Sequence, residues 1–178
     1  MKEELIKVDP SYDESIFLSK VDHIFIMLLD AIMQRDLSPV KHYLSDEIYE
    51  KYNYMVTDYL NTKKIRLFDE MNVKSTDIRD INITENEITI NVTLTSRYMD
   101  YFIDEEGNYI SGIKDHRIEK TNHLVFTKKI GAKELKSARR CPSCGATLDI
   151  NHSGVCPYCK STIDMSNYDY IITKIDTI

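Results

Sequence analysis

The sequence predicts an α+β protein: N-terminal helices gathered on one face of a mainly antiparallel sheet, with a small zinc ribbon inserted between the last two strands. Three observations predict it. Apolar residues recur at spacings of three and four early in the chain and at a spacing of two later, so helices come first and strands follow. All four cysteines fall within CPSCGATLDINHSGVCPYCK, from Cys141 to Lys160. A strand-like segment, YDYIITKI, still follows that stretch, so the cysteine module takes the place of a hairpin loop.

The elements follow in order. Ser11 and Glu14 fit an S-x-x-E capping box ahead of Ile16, Phe17, Val21, Ile24, Phe25, Leu28, Leu29, Ile32 and Met33. That spacing marks a long amphipathic helix of about five turns. Ser38-Pro39 predicts a short helix carrying Val40, Tyr43 and Leu44, with Ser as cap and Pro in the first turn. Ser45-Asp46-Glu47 opens a third helix with Ile48, Tyr49, Tyr52, Val56, Tyr59 and Leu60 on one face. Its tyrosines, like many of the twelve in the chain, read as half-buried packing residues. After about residue 72, Ile78, Ile81 and Ile83 lead into a turn at Glu85-Asn86. Ile88, Ile90, Val92 and Leu94 then alternate with polar residues in a long strand with one solvated face. The segments YISGIK and HLVFTKKI are read as further strands, and Tyr168 to Ile175 as the last.

Composition limits what such a fold can do. The chain has 178 residues, 42% hydrophobic and 29% charged, enough for one domain with a small accessory module. The apolar run Ile24 to Met33 is short and broken by Asp30, and MKEELIKVDP lacks the features of a secretory signal. The reading is a soluble, cytoplasmic protein. A formal net charge of -6 argues against DNA binding, which draws its affinity from phosphate neutralisation. Lys128, Lys129, Lys133, Lys136, Arg139 and Arg140 form a local basic run. It is either a solvated connector or a contact for RNA, an anionic membrane surface or an acidic partner.

The cysteines carry the strongest signal. Cys141, Cys144, Cys156 and Cys159 read C-x2-C, eleven residues, C-x2-C. A two-residue gap lets one tight turn aim both sulfurs at a point, and two facing turns build a thiolate tetrahedron for one Zn2+. Pro142 and Pro157 stiffen the turns, Gly145 supplies a left-handed residue after the second cysteine, and Lys160 takes that place in the second turn. Two disulfides would need an oxidising compartment, and a redox dithiol would need only one pair. Four thiolates leave no site for water or substrate, so the zinc is structural. His152 is read as a turn residue rather than a ligand. The domain boundaries follow: 1–136 with 166–178 as the α+β body, and 137–165 as the ribbon.

Several motifs resemble the bacterial branch of the Tim44-like domain family, named for the scaffold that ties the import motor to the inner mitochondrial membrane translocase. They are Asp9-Pro10 with Phe17-Leu18, the Asp36-Leu37 step with Leu44, the acidic turn with Gly107 and Gly112 leading to His116 and Arg117, and Glu119 through Phe126. The tryptophans usual in that family's last two strands are replaced near His123 or Leu124 and near Tyr170. The resemblance implies a cone-like fold similar to nuclear transport factor two, in which a strongly curved sheet wraps long helices around a pocket. It also implies relatives that act at membranes as tethers and assembly factors, not as catalysts.

The expected function is a non-catalytic zinc-binding adaptor for protein interaction in membrane-associated transport or assembly, cytoplasmic and peripheral to the membrane. The alternative is a cone that binds a small molecule, with catalysis a remoter form of it. Asp100, Asp104, Asp115, His116 and His123 are then the candidate acid–base groups, though no pair among them has a spacing that specifies a reaction. The sequence leaves the oligomeric state open.

Overall fold

The computed structural model describes residues 2–131, 141, 143–146, 155–161, 169–176 and 178. Three helices precede four strands: α1 (Lys2–Val8), α2 (Glu14–Gln34), α3 (Asp46–Asn61), β1 (Lys64–Ile83), β2 (Glu87–Asp104), β3 (Tyr109–Lys129) and β4 (Ile171–Ile175). The strands form one antiparallel sheet in the order β1-β2-β3-β4. No helix among the described residues is long and apolar enough to cross a membrane.

The first three strands are much longer than the helices they pack on. A strand of 20 residues such as β1 would extend about 65 Å if straight, whereas α2, with 21 residues, is only about 31 Å long. The sheet can cover the helices only by bending, and bulges supply the bends. Between Tyr98 and Asp100 of β2 the register on β3 jumps from Ile118 to Ile113, so Lys114 to Arg117 bulge beside Met99. On the other flank β1 shifts between Asp69 and Asn72, where Glu70 takes a positive φ of 51°. Both neighbours of β2 therefore break at the same level.

The concave face is set by alternation in β2. Ile88, Ile90, Val92, Leu94, Ser96 and Tyr98 are all buried, and the apolar ones and Tyr98 share one core with Val21, Ile24, Phe25, Leu28 and Ile32 of α2. The interior is filled with large side chains, among them Tyr52, Tyr98, Phe25 and Phe126. Tyr52 and Tyr98 are fully buried, deeper than the half-buried placement expected for the tyrosines.

Several elements depart from expectation. Short α1, anchored by buried Leu5, had no periodic signal. The cap of α2 is Asp13, whose carboxylate accepts from the Ile16 amide at 2.9 Å; Ser11 instead donates to Asp9 at 2.6 Å. Ser38 caps no helix: Asp36 accepts from its amide and hydroxyl, and only a single 3-10 turn follows at Lys41–Tyr43. β1 starts at Lys64 rather than after residue 72, and YISGIK and HLVFTKKI belong to the one strand β3. The last strand begins at Ile171, and Tyr168 lies outside the described residues. As expected, β4 pairs antiparallel with β3, and the cysteines lie between them in sequence.

Candidate metal centre

The two cysteine pairs are built as the same turn made twice. In the first, the Cys141 amide donates to Ala146 O at 2.7 Å and the Gly145 amide donates to Cys141 O at 2.8 Å. In the second, Cys156 donates to Ser161 O and Lys160 to Cys156 O, both at 2.9 Å. Each turn needs a left-handed residue just after its second cysteine. Gly145 supplies it with φ 73° and Lys160 with φ 61°, so lysine adopts a backbone that glycine would take more readily.

These turns bring all four Sγ atoms within 4.8 Å of one another. Across the knuckles, Cys141 and Cys159 are 3.6 Å apart, and Cys144 and Cys156 are 3.7 Å apart. A disulfide has its sulfurs about 2.05 Å apart, so these are free thiols. A tetrahedron with Zn–S bonds of about 2.3 Å has edges of about 3.8 Å, which the observed pairs match. Cys141 and Cys156 are buried while Cys144 and Cys159 reach the surface, as in a shallow site at the edge of a small module.

The local electrostatics would suit a cation. The Ser161 hydroxyl, 3.4 Å from Cys141 Sγ and 3.0 Å from Cys159 Sγ, favours both thiolates and brings Cys141 down to about 6. For Cys144 the Ala146 amide also favours the thiolate, but burial and the other sulfurs outweigh it and push the thiol up to about 12. Packed this closely, the four cannot all ionise without a positive charge among them. Ser161 was not singled out from the sequence. Its signal was positional, since it is the second turn's counterpart of Ala146.

The Tim44-like domain family matches residues 2–137, three-quarters of the chain. This chain belongs to that family. The cysteine pairs and β4 lie beyond the matched segment of the Tim44-like domain. Among solved structures, the intermembrane space region of chloroplast protein ARC6 is similar at 8% identity with a TM-score of 0.46, over 89% of this chain and 94% of that one. No curated protein matches.

The Tim44-like domain does not gather its candidate acid–base residues into one site. Asp100 accepts two hydrogen bonds from Arg66, at 2.9 and 2.8 Å, in a largely buried ion pair. Asp104 closes the β2–β3 turn by accepting from the Glu106 and Asn108 amides. Asp115 and His116 meet at 2.7 Å, but as exposed sequence neighbours within the β3 bulge. His123 lies on β3 with Nδ1 3.3 Å from the Thr93 hydroxyl.

The basic run is also partly committed. Lys128 donates to Asp9 at 2.8 Å and is nearly buried, with its ammonium 5.4 Å from the centre of the Tyr170 ring. It therefore ties the N-terminal loop to the end of β3 rather than facing an anionic partner. Lys129 is engaged as well. Lys133, Lys136, Arg139, Arg140 and His152 lie outside the described residues, as do Pro142 and the boundaries expected at 136–137 and 165–166.

Proposed function

We propose that this protein is a non-catalytic adaptor in which a Tim44-like body (1–136 and 166–178) carries a ribbon (137–165) stabilised by one structural zinc on Cys141, Cys144, Cys156 and Cys159. The carrying observation is the sulfur cluster: four Sγ atoms within 4.8 Å of one another, with two pairs at 3.6 and 3.7 Å, could fill the coordination shell of Zn2+ and would then leave no position for a substrate. When bound, the zinc supplies cross-linking of the two knuckles and charge neutralisation. The chain's own residues do the rest: Gly145 and Lys160 set the turns, and Ser161 favours the thiolates. A rigid ribbon tip loses little entropy on binding, which suits it to a protein contact. Tyr158, between the second pair of cysteines, stands 71% exposed.

The packed interior and the separated acid–base groups support a binding role over catalysis and over a small-molecule pocket. The family supports a protein partner and a place at a membrane surface, reached from the cytoplasm through that partner rather than through a helix of this body. Lys133, Lys136, Arg139 and Arg140 remain for RNA or anionic lipid; DNA is not an expected ligand.

Metal analysis and affinity capture of the wild type and Cys144→Ser, side by side, test the proposal. One zinc per chain, lost in the variant together with a protein partner, supports it. A wild type purified with all thiols titratable and no metal contradicts it. So does a small molecule found at one per chain by native mass spectrometry.

A further inference from the structure

Beyond Ile175 the chain leaves the edge of β3 and crosses the mouth of the curved sheet towards β1. Three side chains from two elements receive it, all through main-chain oxygens. Lys51 Nζ of α3 donates to Ile175 O at 3.2 Å, Tyr52 Oη to Asp176 O at 3.4 Å, and Arg66 Nη1 of β1 to Ile178 O at 2.9 Å. The side chains of Ile175 and Ile178, three residues apart, are 4% and 3% exposed. On the β3 side, Asp176 exchanges hydrogen bonds with the His123 backbone at 3.2 and 3.1 Å. Main-chain oxygens plus aliphatic sockets at alternate depths are how a groove reads an extended peptide.

The cis segment leaves that groove incompletely satisfied. Asn122 and Tyr98 project from β3 and β2 into the same concave interior, both fully buried. Among the described residues, neither Asn122 Oδ1 and Nδ2 nor Tyr98 Oη has a hydrogen-bond partner. Buried polar atoms of this kind are rare in native structures and call for an explanation. Tyr98 stacks edge-on against Phe68 at 5.3 Å, and Phe68 lies 4.8 Å beneath the Arg66 guanidinium, so its unpaired hydroxyl belongs to the same mouth.

We propose that the mouth formed by α3, β1, β2 and β3 is a peptide-binding groove that Ile175, Asp176 and Ile178 occupy in cis. The occupant in trans is an extended protein segment with aliphatic side chains three residues apart. This rests on the adaptor reading and adds to the ribbon contact a second docking site, on the body. A lipid acyl chain would fill the isoleucine sockets but take the acceptors from the buried Tyr52 hydroxyl and from Arg66 Nη1, leaving Arg66 only Asp100, a costly loss for buried donors. A peptide satisfies both.

The test is fluorescence anisotropy with a labelled peptide of the sequence of residues 173–178, titrated into the full chain. Ile178→Asp unseats the cis segment and is expected to bind the peptide at least tenfold more tightly than wild type. Adding Tyr52→Phe, which removes only a hydroxyl, is expected to lower that affinity severalfold with unchanged far-UV circular dichroism. A peptide with aspartate at both isoleucines should not bind. A folded Ile178→Asp that ignores the peptide overturns the groove while leaving the adaptor reading to stand on the ribbon variant. If Ile178→Asp does not fold, amide hydrogen exchange of the wild type decides. Exchange at 175–178 faster than at Leu124 to Thr127 supports the groove, and exchange only through global unfolding refutes it.

Discussion

At Gly112, β3 passes so close to β2 that no side chain fits. A Cβ there would lie 2.5 Å from both Asp100 O and Tyr101 Cα, and the backbone holds φ at +106°. Gly112→Ala meets backbone on one side and left-handed strain on the other, and we expect a loss of about 2 kcal/mol or more in urea denaturation. The change should leave metal content intact, because the residue is remote in sequence from the ribbon. Asp9 gives a second test. Burial disfavours its charge, but Lys128, Ser11 and Tyr170 outweigh that and hold its carboxyl below the ordinary 3.8. A depressed carboxylate stabilises the fold above 3.8, and that contribution is lost as pH falls through the folded-state value. Asp9→Asn should therefore be less stable than wild type at neutral pH, and the difference should shrink below about pH 4. A difference that stays constant down to pH 2 would show that the pairing is not what holds Asp9. Neither role was legible beforehand. Asp9 and Gly112 stood out only as motif residues, because their partners lie 119 residues away and across a strand.

The elements show where local pattern suffices and where it fails. Long α2 and α3 were legible because an apolar stripe repeated over several turns has one good solution, burial of that stripe. Their starts were less so. Ser11 and Asp13 both suit an N-cap, and the choice falls to Asp13 because Ser11 is drawn to Asp9. Asp13→Ala should cost about 1 kcal/mol of stability through the lost cap. Ser11→Ala should not fray the helix, a contrast readable from amide exchange at Ile16 and Phe17. The strands failed where they bulge. In β1 the shifts at Asp69/Asn72, Val73/Ser75 and Ile78/Asp80 break the period of two, so only its last residues read as strand. In β3 the bulge from Lys114 to Arg117 hid the continuity between its two halves. The bulges that obscure the sequence pattern are the ones that let the sheet curve.

For the whole molecule, the question is how far the ribbon supports the body. The cysteine site was the most legible feature because its geometry is local: two residues between ligands determine the turn without reference to the rest of the fold. The body has its own anchors at the ribbon's base, including Lys128 on Asp9, Tyr170 on Asp9, and the Ser45 amide on Ile172 O at 2.9 Å. None of these passes through a cysteine. Without metal, the connection from Lys129 to Ile171 becomes a loop of about 40 free residues; with the knuckles cross-linked it is about half that. Each doubling of a flexible loop costs only about 0.6 kcal/mol in closure entropy. Chelation should therefore disorder the ribbon, raise the number of reactive thiols to four, and move the body's urea transition by no more than about that amount. A loss of several kcal/mol, or unfolding of the helices by circular dichroism, would mean that the ribbon packs on the body. The zinc would then be part of the fold rather than a local staple on its contact surface.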